Sequence, residues 1–235
     1  AEEELETRWP EARVSRLDQD SARQRGSASK VLDAVHNGDV DILIGTQIVA
    51  KGHDFKNVGL VVVLNTDPRL FSSDYRARER LFSVLMQVSG RAGRDKTEGK
   101  VLIQTRYTED DIFKHLKSQD YEGFAAGELE ARRASFMVPF SAQALLVAEG
   151  KEISSVLAFL QKLKALAEKI KGPSVRIFEP VPLTVQKVMD IERGQLLIEA
   201  DNKVEMQKFL NRFQPEALSL KAKGSWYIDV DPLNY

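Results

Sequence analysis

The chain has 235 residues, of which 43% are hydrophobic and 29% charged, a composition typical of a soluble protein with one large or two ordinary domains. Its net charge of −1 argues against a uniformly basic protein that binds nucleic acid over its whole surface. No apolar run approaches the roughly 18 residues of a membrane span. Cysteine is absent, which excludes disulfides and cysteine-ligated metals, and the acidic N-terminus lacks the pattern of a signal peptide. These features favour a cytoplasmic protein.

The first half of the chain alternates helical patterns with short apolar strands. Ala1–Arg8 is typical of the end of a helix without a convincing cap, so we expect the chain to begin inside a larger protein. Ser29–His36 has apolar residues at helical spacing and predicts a helix. Strands are predicted over Arg13–Leu17, Val40–Ile44, Leu60–Leu64 and Lys100–Thr105. Apolar strands without alternation, separated by helices, predict a parallel α/β sheet that is covered on both faces.

A further helix is predicted over residues 74–89, with Ser73 or Asp74 as its cap and Gly90 as its stop. It leads into Gln87–Arg94, a stretch with two arginines and two glycines. Arginine presents a planar donor fork that matches phosphate, and glycine lets the backbone approach a ligand closely. The stretch is not a P-loop, because it follows a helix and has Asp95 where the second glycine should be. It indicates anion recognition, with a solvated basic turn as the alternative interpretation.

Polar residues follow two of the predicted strands at their carboxyl ends. Gly45-Thr46-Gln47 comes directly after one apolar strand, and Asp67 comes shortly after the next. Ligands of open parallel α/β sheets bind at this edge of the sheet. We therefore expect these residues to share a site with the glycine- and arginine-containing turn at residues 90–94, called the Gly-Arg turn below.

Two helices are predicted after the last of these strands. The first covers Thr108–Ser118 and is capped by Thr108. The second covers Tyr121–Phe136, with Phe124, Leu129 and Phe136 facing inward, and is stopped by Pro139. We place a domain boundary near Met137–Phe140, so that residues 1–137 form the first domain.

The pattern of residues 138–235 is different, because strands here are followed by strands. The predicted order is strand, helix, two strands, helix, strand, which is that of a ferredoxin-like α+β domain. The strands are Ser141–Ala148, Val175–Phe178, Gly194–Ala200 and Trp226–Val230, the helices are Ile153–Ile170 and Val204–Phe213, and Pro180–Glu192 is a less regular stretch.

The motifs of the chain resemble those of superfamily-2 helicases. Gln87–Arg94 is similar to their motif VI, with the pattern Q-x-x-G-R-x-G-R, and Gly45-Thr46-Gln47 with Lys51–Phe55 is similar to motif V. The chain also resembles the primosomal protein N-prime family of bacterial replication-restart helicases. The resemblance rests on the order of four sequence motifs, GTQ, AKGHDF, LFSSDYRARER and QVSGRAGR, and on Trp226–Pro232 near the end. The resemblance covers essentially the whole chain, which would be most of the second RecA-like lobe and the C-terminal domain.

The resemblance implies an ATP-driven DNA helicase that moves 3′ to 5′, recognises stalled forks and restarts replication. Its partners would be branched and single-stranded DNA, single-stranded-DNA-binding protein and other primosome proteins, and no membrane. ATP and Mg²⁺ would act in the full-length protein, and zinc would bind only in an upstream insertion. Because the chain has neither a Walker A loop nor an acidic DEAH-type box, we expect it to bind no cofactor and hydrolyse no ATP by itself.

The resemblance also assigns roles to single residues. Arg94 would be the arginine finger for the γ-phosphate, with Arg91 supporting it or also contacting the phosphates. Gln87 would link the nucleotide or its water to the lobe interface. Two more sets of contacts are implied. Gly52, Asp54 and Gly90 would contact the nucleotide, and Thr46 and Gln47 would contact the DNA backbone.

Three further interpretations concern DNA, metal and the class of function. Arg76 and Arg80 are four residues apart on the predicted helix and project together, so they are candidates for a DNA phosphate, with a solvated helix face as the alternative. No metal site is predicted, and His53 is interpreted as a loop or packing residue. The alternative to the helicase hypothesis is that the chain is a non-enzymatic DNA-binding or partner-docking module with helicase-like geometry.

Overall fold

The computed structural model describes residues 2–17, 27–46, 58–72, 74–90, 99–188 and 191–233. The chain divides into two compact units, Ala1–Ala125 and Ala126–Tyr235. The domain limit placed at residue 137 from the sequence stays a prediction. Within the described ranges, every helix is too short or too polar to cross a membrane.

The first unit alternates helices with short strands, as the sequence predicts. Its strands form two parallel ladders, β1 with β2 and β3 with β4, and the described residues contain no ladder that joins the two pairs. The fold class of this part, a parallel α/β arrangement, is therefore confirmed. In chain order the elements are α1 (Glu2–Arg8), β1 (Val14–Leu17), α2 (Ser27–Asn37), β2 (Ile42–Gly45), β3 (Leu60–Val63), α3 (Asp67–Leu70), α4 (Ala77–Ser89), β4 (Lys100–Ile103) and α5 (Asp111–Ser118), followed by α6 (Tyr121–Ala134).

The β3–β4 pair differs from the prediction, because within the part of the chain that the structure describes only one of its faces is covered. Val63 and Ile103 pack against the apolar cluster of the unit. Leu60, Val62 and Leu102 lie on the opposite face and are 53%, 50% and 56% exposed. Since successive side chains of a strand point to opposite faces, the uniformly apolar sequence does not reveal which face is open. The prediction of a sheet covered on both faces is wrong for this pair.

The core of the first unit is built around α4. Leu81, Phe82 and Leu85 of this helix are buried, and the rings of Phe82 and Phe124 stack with their centroids 4.0 Å apart. Burying side chains of this size contributes about 1.5–3 kcal/mol each. The other buried members of the cluster are Leu70, Ile112, Phe113 and Leu116.

Two helix caps differ from the predicted ones. The N-cap of α5 is Asp110 rather than Thr108, and its carboxylate accepts a hydrogen bond from the backbone N–H of Ile112. The N-cap of α4 is Arg76, whose side chain makes no cap hydrogen bond. Asp74 is therefore not the N-cap, although its carboxylate accepts from the N–H of Arg76 at 2.9 Å. Ser73, the other predicted cap, lies outside the described residues.

Helix α6 also corrects a prediction. Phe124 is buried as expected, but Leu129 and Phe136 are 44% and 68% exposed. With about 3.6 residues per turn, residues five apart lie on different sides of a helix, so Leu129 cannot share the face of Phe124. The helix ends at Ala134, before Phe136, which adopts a left-handed backbone conformation with φ 52°.

The second unit contains an antiparallel sheet with the strand order β6-β8-β5-β9, in which β7 also pairs with β8. This is the predicted ferredoxin-like order with one additional strand. The predicted irregular stretch at Pro180–Glu192 is largely strand, which corrects that prediction; a register shift between Pro182 and Lys187 interrupts its pairing. The elements are β5 (Ala142–Gly150), α7 (Ile153–Ile170), β6 (Val175–Ile177), β7 (Val181–Val188), β8 (Ile191–Ala200), α8 (Lys203–Leu218) and β9 (Ser225–Val230).

Helices α7 and α8 cover one face of this sheet. Leu160 and Leu163 of α7 and Phe213 of α8 are fully buried, together with Leu146 and Leu196 of the central strands. The helix Ile153–Ile170 was predicted with its observed bounds, because its apolar residues recur at helical spacing along its whole length.

Candidate functional site

The described residues of the candidate site lie in two places, at the carboxyl ends of the strands of the first unit and at the end of α4. At the carboxyl end of β3, the carboxylate of Asp67 accepts hydrogen bonds from the hydroxyl of Thr105 at 2.6 Å and from the N–H of Arg106 at 3.1 Å. The Thr105 hydroxyl, and after it the Arg106 N–H, holds the pKa of Asp67 below its ordinary value. The Asp67 carboxylate therefore joins the ends of β3 and β4.

Two more contacts close the same edge. The hydroxyl of buried Thr66 donates to the backbone oxygen of Gln104 at 2.8 Å. Asn65 adopts a left-handed conformation with φ 57°, and its N–H donates to the side-chain oxygen of Gln104 at 3.3 Å. Asp67 thus lies at the predicted strand end, but its carboxylate is already hydrogen-bonded within the protein.

Helix α4 is fixed at its start by a paired ion bridge. The guanidinium of Arg78 donates to both carboxylate oxygens of Asp110, at 3.1 and 3.0 Å. Burial opposes ionisation of Asp110, but the Arg78 bridge and the N–H of Ile112 outweigh it, so the pKa of Asp110 is below its ordinary value. Because Asp110 also caps α5, one carboxylate joins the beginnings of the two helices.

The two arginines predicted to contact DNA lie at the beginning of α4. The guanidinium of Arg80 pairs with Asp74 at 2.8 Å, and that of Arg76 lies over the ring of Tyr75, 5.1 Å from its centroid. Arg80 is on the outer side of the helix with about half of its side chain exposed (47%). A DNA phosphate contact by Arg76 and Arg80 stays a prediction.

At the other end of α4, Gln87 is exposed in the last turn and Gly90 is the C-cap. The end of the helix at Gly90 is confirmed. Gly90 has a right-handed conformation with φ −69°, so the helix does not end through the left-handed glycine that commonly follows helices. Its N–H donates a hydrogen bond to the backbone oxygen of Met86 at 3.0 Å. The helical hydrogen-bond pattern therefore continues to Gly90, the last described residue of this segment.

Thr46 is exposed and follows the last residue of β2 directly, as predicted. β2 pairs with β1 and not with β3, so no strand ladder of the described residues connects Thr46 to the β3–β4 edge. Five of the other assigned residues lie outside the described residues: Gln47, Gly52, Asp54, Arg91 and Arg94. Among the described residues, no group of three or more His, Asp or Glu side chains is placed to hold a metal ion.

Two contacts were not predicted from the sequence: the Arg78–Asp110 bridge, and an exposed aromatic pair of Phe71 with Tyr107, whose ring centroids are 4.4 Å apart. In both cases the partners are distant in the sequence. The sequence shows which residues are charged or aromatic, but it does not show which residue each of them contacts in the fold.

Two family models match separate parts of the chain. Residues 1–96 match the helicase conserved C-terminal domain, and residues 133–233 match the primosomal protein N C-terminal domain. Together with the parallel strand pairs of the first unit and the antiparallel sheet of the second, these matches define a helicase lobe followed by a primosomal α+β domain.

Relatives named replication restart protein PriA match the chain over most or all of its length. The protein of Haemophilus influenzae is 35% identical over 231 residues, which are 98% of this chain and 32% of that protein. The proteins of Rickettsia conorii and Bacillus subtilis are 34% and 35% identical over 100% and 90% of this chain, and over 36% and 26% of their own lengths. The chain is similar to these PriA proteins over most or all of its own length, and it spans about a third of the length of the first two.

Proposed function

We propose that the chain forms part of an ATP-dependent DNA helicase that moves 3′ to 5′ and restarts replication at stalled forks. The observation that carries this proposal is the order of Gly45-Thr46-Gln47, Lys51–Phe55 and Gln87–Arg94 in one chain whose relatives are named replication restart proteins. The chain would supply the second lobe of a nucleotide site whose phosphate-binding loop and Mg²⁺ ligands belong to another part of the protein.

In this proposal, Arg94 is the arginine finger and Arg91 supports it. As the γ-phosphoryl group leaves, negative charge spreads over its oxygens, and a guanidinium placed there in advance stabilises it. Gln87 would link the nucleotide or its water to the lobe interface, and Gly52, Asp54 and Gly90 would contact the nucleotide, as the sequence motifs imply. These are the residues on which lobe closure would act.

The contacts of α4 support the proposal, since a finger must be held in place to be effective. Phe82 and Leu85 bury one side of the helix, and the Arg78–Asp110 bridge fixes its first turn. The helix therefore holds Gln87 and Gly90 on a fixed base.

The DNA contacts of the proposal are Thr46, Gln47, Arg76 and Arg80. Hydroxyl, amide and guanidinium groups are the side chains that position proteins on phosphate backbones. The substrates would be branched and single-stranded DNA, and the partners single-stranded-DNA-binding protein and other primosome proteins. Zinc would bind only outside this chain, in an upstream insertion.

DNA-stimulated ATP hydrolysis by the full-length protein tests the finger. Arg94→Ala should lower kcat by about 10³-fold or more, because a missing finger removes charge stabilisation in the transition state. Arg8→Ala is the matched control, since it removes an exposed arginine of the same unit that lies over Trp9. DNA affinity should be nearly unchanged in both variants. An Arg94→Ala protein with normal ATPase activity would contradict the assignment.

A further inference from the structure

Phe71 and Tyr107 form an aromatic pair on the surface of the first unit. Their ring centroids are 4.4 Å apart with an interplanar angle of 61°, and the residues are 60% and 47% exposed. Phe71 is the C-cap of α3, and Tyr107 follows β4. Scattered exposed apolar residues are ordinary on proteins, but two paired rings that leave much of their surface in water need a different explanation.

The backbones of both residues are tied to Asp67, the residue whose carboxylate joins the strand ends. The N–H of Phe71 donates to the backbone oxygen of Asp67 at 3.1 Å, so Phe71 is fixed to the helix that Asp67 begins. On the other side, the N–H of Tyr107 donates to the hydroxyl of Thr105 at 3.0 Å, and that hydroxyl donates to Asp67. Little conformational entropy remains to be lost when a ligand contacts the pair.

The charges around the pair favour a polyanion. Arg69 lies on α3 beside Phe71, and Arg106 directly precedes Tyr107; both residues are exposed. The carboxylate of α3, Asp67, accepts hydrogen bonds from the hydroxyl of Thr105 and the N–H of Arg106. Exposed aromatic faces beside guanidinium groups are the combination with which proteins hold single strands, through base stacking and phosphate contacts.

We propose that Phe71 and Tyr107 form a stacking platform for a base of single-stranded DNA, with Arg69 and Arg106 at the adjoining phosphates. The proposal rests on the proposed function and adds to it a contact point for the strand along which the lobe moves. Because every base has a π-face, the platform would accept any sequence. Double-stranded DNA would not use it, since its bases are stacked within the duplex.

Fluorescence anisotropy of a labelled single-stranded oligonucleotide, titrated with the 235-residue chain at low salt, tests the platform. Phe71→Ala and Tyr107→Ala should each weaken binding by about 10-fold, whereas Tyr107→Phe should bind as the unaltered chain does. Phe71→Leu separates stacking from apolar contact, because it keeps most of the apolar area and loses the ring. Phe136→Ala is the matched control, since Phe136 is an exposed aromatic residue of the other unit.

A second readout reports stacking directly. An oligonucleotide that contains 2-aminopurine should lose fluorescence on binding to the unaltered chain and keep it with Phe71→Ala at saturation. Thermal unfolding of each variant checks that the fold is intact, and exposed rings should leave Tm nearly unchanged.

The outcomes separate the platform from the proposed function. Salt-sensitive DNA binding that is equal in the unaltered chain, Phe71→Ala and Tyr107→Ala would overturn the platform and leave the helicase proposal standing. An equal loss of affinity in Phe136→Ala would also overturn it, because the effect would then not belong to this pair. If the unaltered chain binds no DNA even at low salt, both the platform and the DNA contacts of the proposed function are contradicted.

Discussion

In the second unit two helices cover one face of a five-stranded sheet, whereas in the first unit the described strands form two separate parallel pairs. The central strand β5 is buried from Ala142 to Ala148, but β3 and β4 of the first unit expose alternate leucine and valine side chains. The first unit compensates with polar contacts at strand and helix ends, those of Asp67 and Asp110. The second unit is therefore stabilised mainly by its core, and the first unit depends more on a few carboxylates.

The largest expected effect comes from the core of the second unit. Phe213 of α8 is fully buried, so Phe213→Ala should destabilise this unit by about 3–5 kcal/mol through lost burial and the cavity left behind. Leu218→Ala on the same helix is the control, because Leu218 is 65% exposed. Hydrogen exchange of the two units, followed separately, should show faster exchange in the second unit only for Phe213→Ala. Equal exchange in both variants would mean that this core does not determine the stability of the unit.

An intermediate effect is expected in the first unit. Asp110→Ala removes the cap of α5 and both hydrogen bonds of the Arg78–Asp110 bridge, which together should cost about 2 kcal/mol. Asp111→Ala is the matched control, since the neighbouring carboxylate is exposed and pairs only along its own helix with Lys114. Urea unfolding of the first unit measures the difference. If the two variants are equally stable, the dependence of this unit on the Asp110 carboxylate is refuted.

The smallest effect is expected at Gly90. A Cβ there would lie 3.5 Å from the backbone oxygen of Met86 and 3.8 Å from that of Gln87, which are ordinary contacts, and φ is −69°. Gly90→Ala should therefore change stability by less than about 1 kcal/mol. Gly224→Ala is the contrasting variant, because a Cβ at that position would overlap the backbone oxygen of Glu149. Thermal unfolding should show a clear loss for Gly224→Ala alone. A loss of ATPase activity in a stable Gly90→Ala protein would assign this glycine to the nucleotide.

Helices and strands were predicted well from the sequence where a repeating apolar pattern extends over the whole element. The helix Ile153–Ile170 was predicted to the residue, because its apolar stripe repeats over its whole length. β7 was missed because Pro182 argues against a strand at this position in the sequence. The cap Asp110 was missed because both Thr108 and Asp110 are good caps, and only the position of the Arg78 side chain favours one of them.

The candidate site was predicted only in part. The motifs named Thr46, Gln87 and Gly90, and the structure places these at a strand end and in the last turn of a helix, as expected. The partners of Asp67 could not be predicted, because Thr105 and Arg106 come close to it only through the parallel pairing of β3 and β4. Contacts of this kind depend on the fold, whereas motifs depend on the local sequence.

The central claim is that the turn after α4 acts on a nucleotide bound by another part of the protein. Binding of ADP with aluminium fluoride, which resembles the phosphoryl group in the transition state, tests this claim most directly in the full-length protein. Because a finger contacts charge that develops only in the transition state, Arg94→Ala should weaken binding of this complex by about 100-fold or more and leave ADP affinity unchanged. Equal affinity of the unaltered protein and Arg94→Ala for ADP–aluminium fluoride would contradict the account.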